Sequence, residues 1–105
     1  MSISMKTAIK LIAQNATNSK FKVMDVRTPA ERAVSSIPNS FHIPLSDLEQ
    51  SLSQLSQEDI YLIYCKSGVR SQKATSFLNA KGFNAINMEG GIIEWEKEHG
   101  STEKK

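Results

Sequence analysis

The chain has 105 residues, 39% of them hydrophobic and 23% charged, with a formal net charge of +2. That is enough for one core and too short for two, and the balance excludes a disordered chain. The small charge and the absence of a Lys/Arg cluster argue against nucleic acid or an acidic membrane surface as partner, and no apolar run is long enough to span a bilayer.

Reading from the amino end, MSISMKTAIKLIAQ lacks the long apolar segment of a secretory signal, so a cytoplasmic protein is expected. Ser4 can cap a first helix running to about Asn15, with Ala8, Ile9, Leu11 and Ile12 as its apolar face. Phe21 to Val26 reads as a strand, and Pro29 suits the first turn of a short helix from Pro29 to Val34. Ser40 to Ile43 reads as a second strand, stopped by Pro44. Ser46 with Glu49 has the pattern of a capping box opening a helix to about Leu55. Ile60 to Tyr64 is nearly all apolar, as a central parallel strand covered on both faces requires. Ser71 to Lys81 is helical, with Gly82 placed as a left-handed C-cap. Ala85 to Met88 is a last strand, Ile92 to Glu98 a last helix, and 99–105 a frayed tail outside a core of about 4–98. Strands alternating with helices point to an α/β fold. In such folds ligands gather at the carboxyl ends of parallel strands. Asp25-Val26-Arg27 and residues 65–71 occupy two such ends and should lie close together.

Cys65 is the only cysteine, which excludes an internal disulfide and a multi-cysteine metal site. His42 and His99 are the only histidines and have no other ligands at metal spacing, so neither a metal nor any other cofactor is expected. Cys65 has two readings, a small buried hydrophobe at a strand end or a reactive thiol. The residues that follow it, Lys66, Ser67, Gly68, Val69, Arg70 and Ser71, favour the second. A loop from a strand into a helix start leaves N–H groups without helical acceptors, and the helix dipole adds positive potential. Gly68 permits the tight turn that converges those groups on one point, and positive surroundings favour a thiolate. Lowering a cysteine by about two pH units requires roughly 2.7 kcal/mol, and hydrogen bonds to a charged group contribute roughly 1.5–3 kcal/mol each. One or two would be enough. Arg70 opposes the dipole locally. Either a bound anion offsets that cost, or the guanidinium turns away to a carboxylate such as Asp25. Lys66 reads as a solvent-facing rim residue, idle or attracting a donor.

The ordered set Asp25-Val26-Arg27 with Glu31, His42-Ile43-Pro44-Leu45, the loop Cys65 to Ser71, Leu78 to Phe83, and Gly90-Gly91 with Trp95 resembles the single-domain rhodaneses, a sulfurtransferase family. The resemblance runs from about Phe21 to Glu98. It implies a central parallel sheet of about four to five strands with helices on both faces. It also implies sulfane-sulfur transfer from thiosulfate or a low-molecular-weight persulfide to a thiol, cyanide or protein acceptor. Cys65 would be the nucleophile, and the N–H groups from Lys66 to Ser71 would cradle the outer sulfur. Related phosphatases place five residues between cysteine and arginine. Here four intervene, a ring suited to one sulfur atom rather than a tetrahedral oxyanion. A phosphatase or arsenate reductase, and a non-catalytic module of the same fold, are the alternatives. The loop carries Lys66 and Ser67 where well-known thiosulfate sulfurtransferases carry Arg and Lys, which leaves the donor open. Arg32 and the stretch Ser35 to Ser40 also depart from the family pattern, with Asn39 a substitute for a glycine in a left-handed backbone. Asp25 and Arg27 are expected to brace the loop, Glu31 to pair with Arg27, His42 to pack, Trp95 to anchor the last helix, and Gly90-Gly91 to form a tight turn.

Overall fold

The computed structural model describes residues 1–98 together with the backbone of 103–104. In chain order the elements are β1 (Ser2–Ile3), α1 (Met5–Gln14), β2 (Phe21–Asp25), α2 (Pro29–Val34), β3 (Ser35–Ser36), β4 (Phe41–His42), β5 (Ile60–Tyr64), α3 (Val69–Ala80), β6 (Asn84–Met88), α4 (Gly91–Glu98) and β7 (Glu103–Lys104). Five strands form one parallel sheet in the order β1-β6-β5-β2-β4, with β5 at its centre.

The pleat of β5 divides the core. Tyr61, Ile63 and Cys65 pack with Met24, Val26, Ala74 and Leu78 on the α3 side. Leu62 and Tyr64 pack with Met5, Ala8, Ile92 and Trp95 on the α1–α4 side. From Tyr61 to Tyr64 the strand is buried on both faces and has no polar side to show, which is why it reads as a nearly unbroken apolar run, while Ile60 at its start is exposed. Trp95 is 2% exposed and anchors α4, as expected.

The Ser4 cap is present, its Oγ accepting from Thr7 N at 3.3 Å. Asn39 adopts φ 66, the left-handed backbone expected of it. Two expectations are corrected. The helix over 46–55 is instead a pair of 3-10 segments, Leu45–Asp47 and Glu49–Gln54, and Ser46 caps neither. Leu45 N donates to Val26 O at 3.0 Å, and the segment starts one residue before Ser46 with Pro44 at its N-cap, so the exposed Ser46 lies within the segment rather than at its cap. The apolar residues are spaced three apart, Leu45 with Leu48 and Leu52 with Leu55, which matches the 3-10 period. The second correction is the start of α3 at Val69, two residues early, because Gly68 takes φ 105 and serves as the N-cap. Of the tail expected to fray, Glu103–Lys104 pairs antiparallel with Ser35–Ser36. The rest of that expectation, with His99, lies outside the described residues.

Candidate active site

β2 and β5 run side by side with Asp25 opposite Tyr64, so the Asp25-Val26-Arg27 segment and the loop after Tyr64 leave the sheet together. Val26 N donates to Tyr64 O at 3.1 Å across that junction. On the other side, Ile92 N and Ile93 N at the start of α4 donate to Cys65 O at 2.9 Å and Lys66 O at 3.2 Å. Gly90 and Gly91, at φ 83 and 59, make the tight turn that brings them there.

Cys65 lies at the floor of the loop, 1% exposed. Its Sγ accepts from Gly68 N at 3.1 Å and Ser71 N at 3.4 Å, and lies 3.4 Å from Ser71 Oγ. Burial pushes the thiol up, but the Ser71 hydroxyl and the amides of Ser71, Gly68 and Ser67 outweigh it, and the sulfur ionises below a cysteine's ordinary value. Gly68 makes this possible twice over. Its φ suits glycine, and a Cβ there would lie 3.2 Å from Gly90 N. Lys66, Ser67 and Val69 are exposed on the rim, Arg70 is half-buried and Ser71 is fully buried. Of the amides from Lys66 to Ser71, those of Gly68 and Ser71 make the hydrogen bonds to the sulfur, and that of Ser67 also favours its charged form.

The charged residues pair differently from the expectation. Arg70 donates from Nη1 and Nη2 to Glu31 Oε1 and Oε2 at 2.7 and 2.9 Å, so its carboxylate partner is Glu31 and not Asp25. Glu31 therefore does not pair with Arg27. The capping box at Thr28 explains this correction: Glu31 reaches back to Thr28 N at 3.1 Å, which aims its carboxylate across the loop mouth at Arg70. Asp25 and Arg27 pair with each other, Arg27 Nε donating to Oδ1 at 3.0 Å and Nη2 to Oδ2 at 2.8 Å, with both side chains buried. Burial opposes the charge on each, and their contact still holds Asp25 below and Arg27 above the ordinary value. His42 Nε2 lies 2.7 Å from Arg27 O, which ties the end of β4 to the segment after β2 and agrees with the structural role expected of it.

Three residues at this centre were not anticipated. Tyr64 OH donates to Asp25 Oδ2 at 3.1 Å and accepts from Ile37 N at 3.1 Å, tying the floor of the loop to the chain beyond α2. Arg32 joins the same carboxylate at 3.4 Å and spans to Ser40 O at 2.6 Å, so the position where this chain departs from the family pattern holds its own turn together. Asn87 accepts from Ser71 Oγ at 2.5 Å. A polar residue within the strand-like run Ala85 to Met88 was the available signal for Asn87. The sequence Thr28-Pro29-Ala30-Glu31 was the signal for the capping box.

Among the described residues no cluster of three or more His, Cys, Asp or Glu could hold a metal ion, and no helix is long and apolar enough to cross a membrane.

The model of the rhodanese-like domain family matches residues 6–98. A sulfurtransferase of Allochromatium vinosum is 37% identical over 79 residues, covering 74% of this chain and 73% of that one. The crystal structure of a rhodanese-like domain protein from Staphylococcus aureus has a TM-score of 0.82 at 35% identity, covering 99% of this chain and 97% of the other. A rhodanese-related protein from Thermoplasma volcanium has a TM-score of 0.84 at 33% identity, covering 99% and 98%.

Proposed function

This chain belongs to the rhodanese-like domain family, and from that premise we propose that it is a cytoplasmic sulfurtransferase carrying sulfane sulfur as a persulfide on Cys65. The observation that carries this reading is the convergence of the Gly68 and Ser71 amides on the Cys65 sulfur. Preorganised N–H donors at a helix start favour an anionic sulfur and need no reorganisation when charge arrives.

The cycle has two displacements. The Cys65 thiolate attacks the outer sulfur of thiosulfate, forming an S–S bond. The bond to the sulfonate sulfur breaks, and sulfite leaves with the electron pair. With a low-molecular-weight persulfide as donor, the thiolate of that donor leaves instead. An acceptor nucleophile then attacks the outer sulfur of the Cys65 persulfide. Cyanide leaves as thiocyanate, a thiolate leaves as a persulfide, and the Cys65 thiolate is restored. No oxidant, metal or cofactor enters the balance. Cys65 is the only cysteine, so the persulfide cannot discharge by forming an internal disulfide, and the acceptor comes from outside the chain. Lys66, Ser67 and Val69 form the rim the donor meets. Arg70, held by Glu31, adds positive potential beside the sulfur without closing on it.

Mass spectrometry after exposure to thiosulfate or glutathione persulfide tests the reading. Cys65 gains one sulfur atom and Cys65→Ser gains none. Absence of the added atom with both donors removes the catalytic assignment.

A further inference from the structure

The hydrogen-bond chain leading away from Cys65 has a direction. Cys65 Sγ–H donates to Ser71 Oγ at 3.4 Å, Ser71 Oγ–H donates to Asn87 Oδ1 at 2.5 Å, and Asn87 Nδ2 donates to Ser2 Oγ at 3.2 Å. Ser71 is 0% and Asn87 3% exposed, whereas Ser2 is exposed. A serine hydroxyl has one proton. In this arrangement the proton is committed to Asn87, so Ser71 Oγ faces the sulfur as an acceptor, which suits a thiol. A thiolate has no proton to give, and although the Gly68 and Ser71 amides donate to it, Ser71 Oγ would face it lone pair to lone pair unless the hydroxyl proton turned to the sulfur. If the Ser71 proton turned to the sulfur alone, Ser71 Oγ and Asn87 Oδ1 would face each other as two buried acceptors, a costly arrangement.

A half-turn of the Asn87 amide removes that conflict, because it exchanges a donor and an acceptor of nearly the same size. Nδ2 then donates to Ser71 Oγ, and Oδ1 accepts from the hydroxyl of Ser2, which reorients freely at the surface. Every bond in the chain survives with its direction reversed. We propose that Asn87 is a positioning residue for the sulfur: its amide faces Ser71 through Oδ1 when Cys65 is a thiol and through Nδ2 when the sulfur is anionic, releasing the Ser71 hydroxyl to the sulfur only in the second state. The proposal deepens the reading of Cys65 as a sulfur carrier and rests on it for its consequence, since the anionic state is the one that attacks a donor.

The test is the pH dependence of Cys65 alkylation by iodoacetamide in the full chain. Asn87→Asp can only accept when ionised, so it retains the Ser71 proton and adds negative charge. Its alkylation midpoint rises by about one pH unit or more. Asn87→Leu cannot accept, leaves the Ser71 proton always available to the sulfur, and has a midpoint equal to or below that of the unaltered protein. In a Ser71→Ala background, the gap between the Asp and Leu variants falls by at least half. Midpoints moving together in both variants, or a gap undiminished without the Ser71 hydroxyl, overturn the proposal. If either variant does not fold, NMR of the unaltered protein decides. The Asn87 amide protons contact Ser2 below the Cys65 midpoint and Ser71 above it, and contacts that do not change across the titration overturn the proposal. Sulfur loading is read separately by mass spectrometry. A chain that takes no sulfur but shows these shifts loses only the transfer reading, and one that loads normally without them loses only the role of Asn87.

Discussion

Glu31 shows how much one side chain can settle. Its carboxylate closes the capping box at Thr28 and receives both terminal nitrogens of Arg70. A guanidinium in the first turn of a helix opposes the dipole, so Arg70 needs a counter-charge there. Arg70, chiefly, holds the Glu31 carboxyl down to about 2 from an ordinary 4.5, against a smaller upward push from burial. A depressed carboxyl stabilises the fold above its unfolded value and loses that contribution as pH falls toward its folded value. Glu31→Gln is therefore expected to unfold at lower urea than the unaltered protein at neutral pH, by roughly 1 kcal/mol given the partial exposure of the pair. The gap closes as pH falls from 4.5 toward 2. Urea midpoints recorded across that range check this, and a gap that stays constant with pH would assign the loss to packing.

Among the elements, the start of α4 has the most direct hold on the loop. Two of its amides donate to the carbonyls of Cys65 and Lys66, which fixes the backbone on which the proposed role of the sulfur depends. Gly91 at φ 59 makes the approach, and a Cβ on it would overlap both carbonyl oxygens. Gly91→Ala combines left-handed strain with a backbone clash that no side-chain rotation relieves, and should cost roughly 2–4 kcal/mol. In a domain of this size that lowers the thermal midpoint by about 8 °C or more. Calorimetry checks it, and a shift of under about 3 °C would show that α4 can move aside. The early start of α3 has the same origin, since Gly68 bends the chain into the helix two residues before the first residue that reads as helical.

At the scale of the whole molecule, the sheet is a device for burying a charge pair under the loop. Asp25 ends β2 between β4 and β5, receives Arg27 and Tyr64, and is fully buried. Arg27 also stacks over the Tyr64 ring at 5.5 Å. The two hydrophobic clusters hold this network in place from either face, and the network in turn decides where β5 ends and the loop begins. Asp25→Asn preserves size but leaves a buried cation without its counter-charge, which costs roughly 3–5 kcal/mol. Adding Arg27→Met to it should recover more than half of the loss, because the orphaned charge goes with it. Chemical denaturation of the single and double variants measures both. An equally unstable double variant would mean that the pair is retained for its shape and not its charge.

The residues alone determine that β5 is a doubly covered strand, that Gly68 turns the chain after it, and that Cys65 stands where amides of a helix start are within reach. These are local matters, set by an apolar run, a missing Cβ and a strand-to-helix junction, and each is legible over fewer than about ten residues. Tertiary structure decides who pairs with whom. Arg70 and Glu31 are 39 residues apart, Tyr64 and Asp25 also 39, Ser71 and Asn87 16. Each meeting depends on strand order and register, as in the alignment of Asp25 with Tyr64 and of Ile63 with Asn87. The sequence pairs Glu31 with Arg27 and offers Asp25 to Arg70, whereas the folded distances give Glu31 to Arg70 and Asp25 to Arg27 and Arg32. The 3-10 form of 45–54 belongs here too, since a bond from Leu45 to Val26, just past the end of β2, starts the turn ahead of the capping pattern that local chemistry favours.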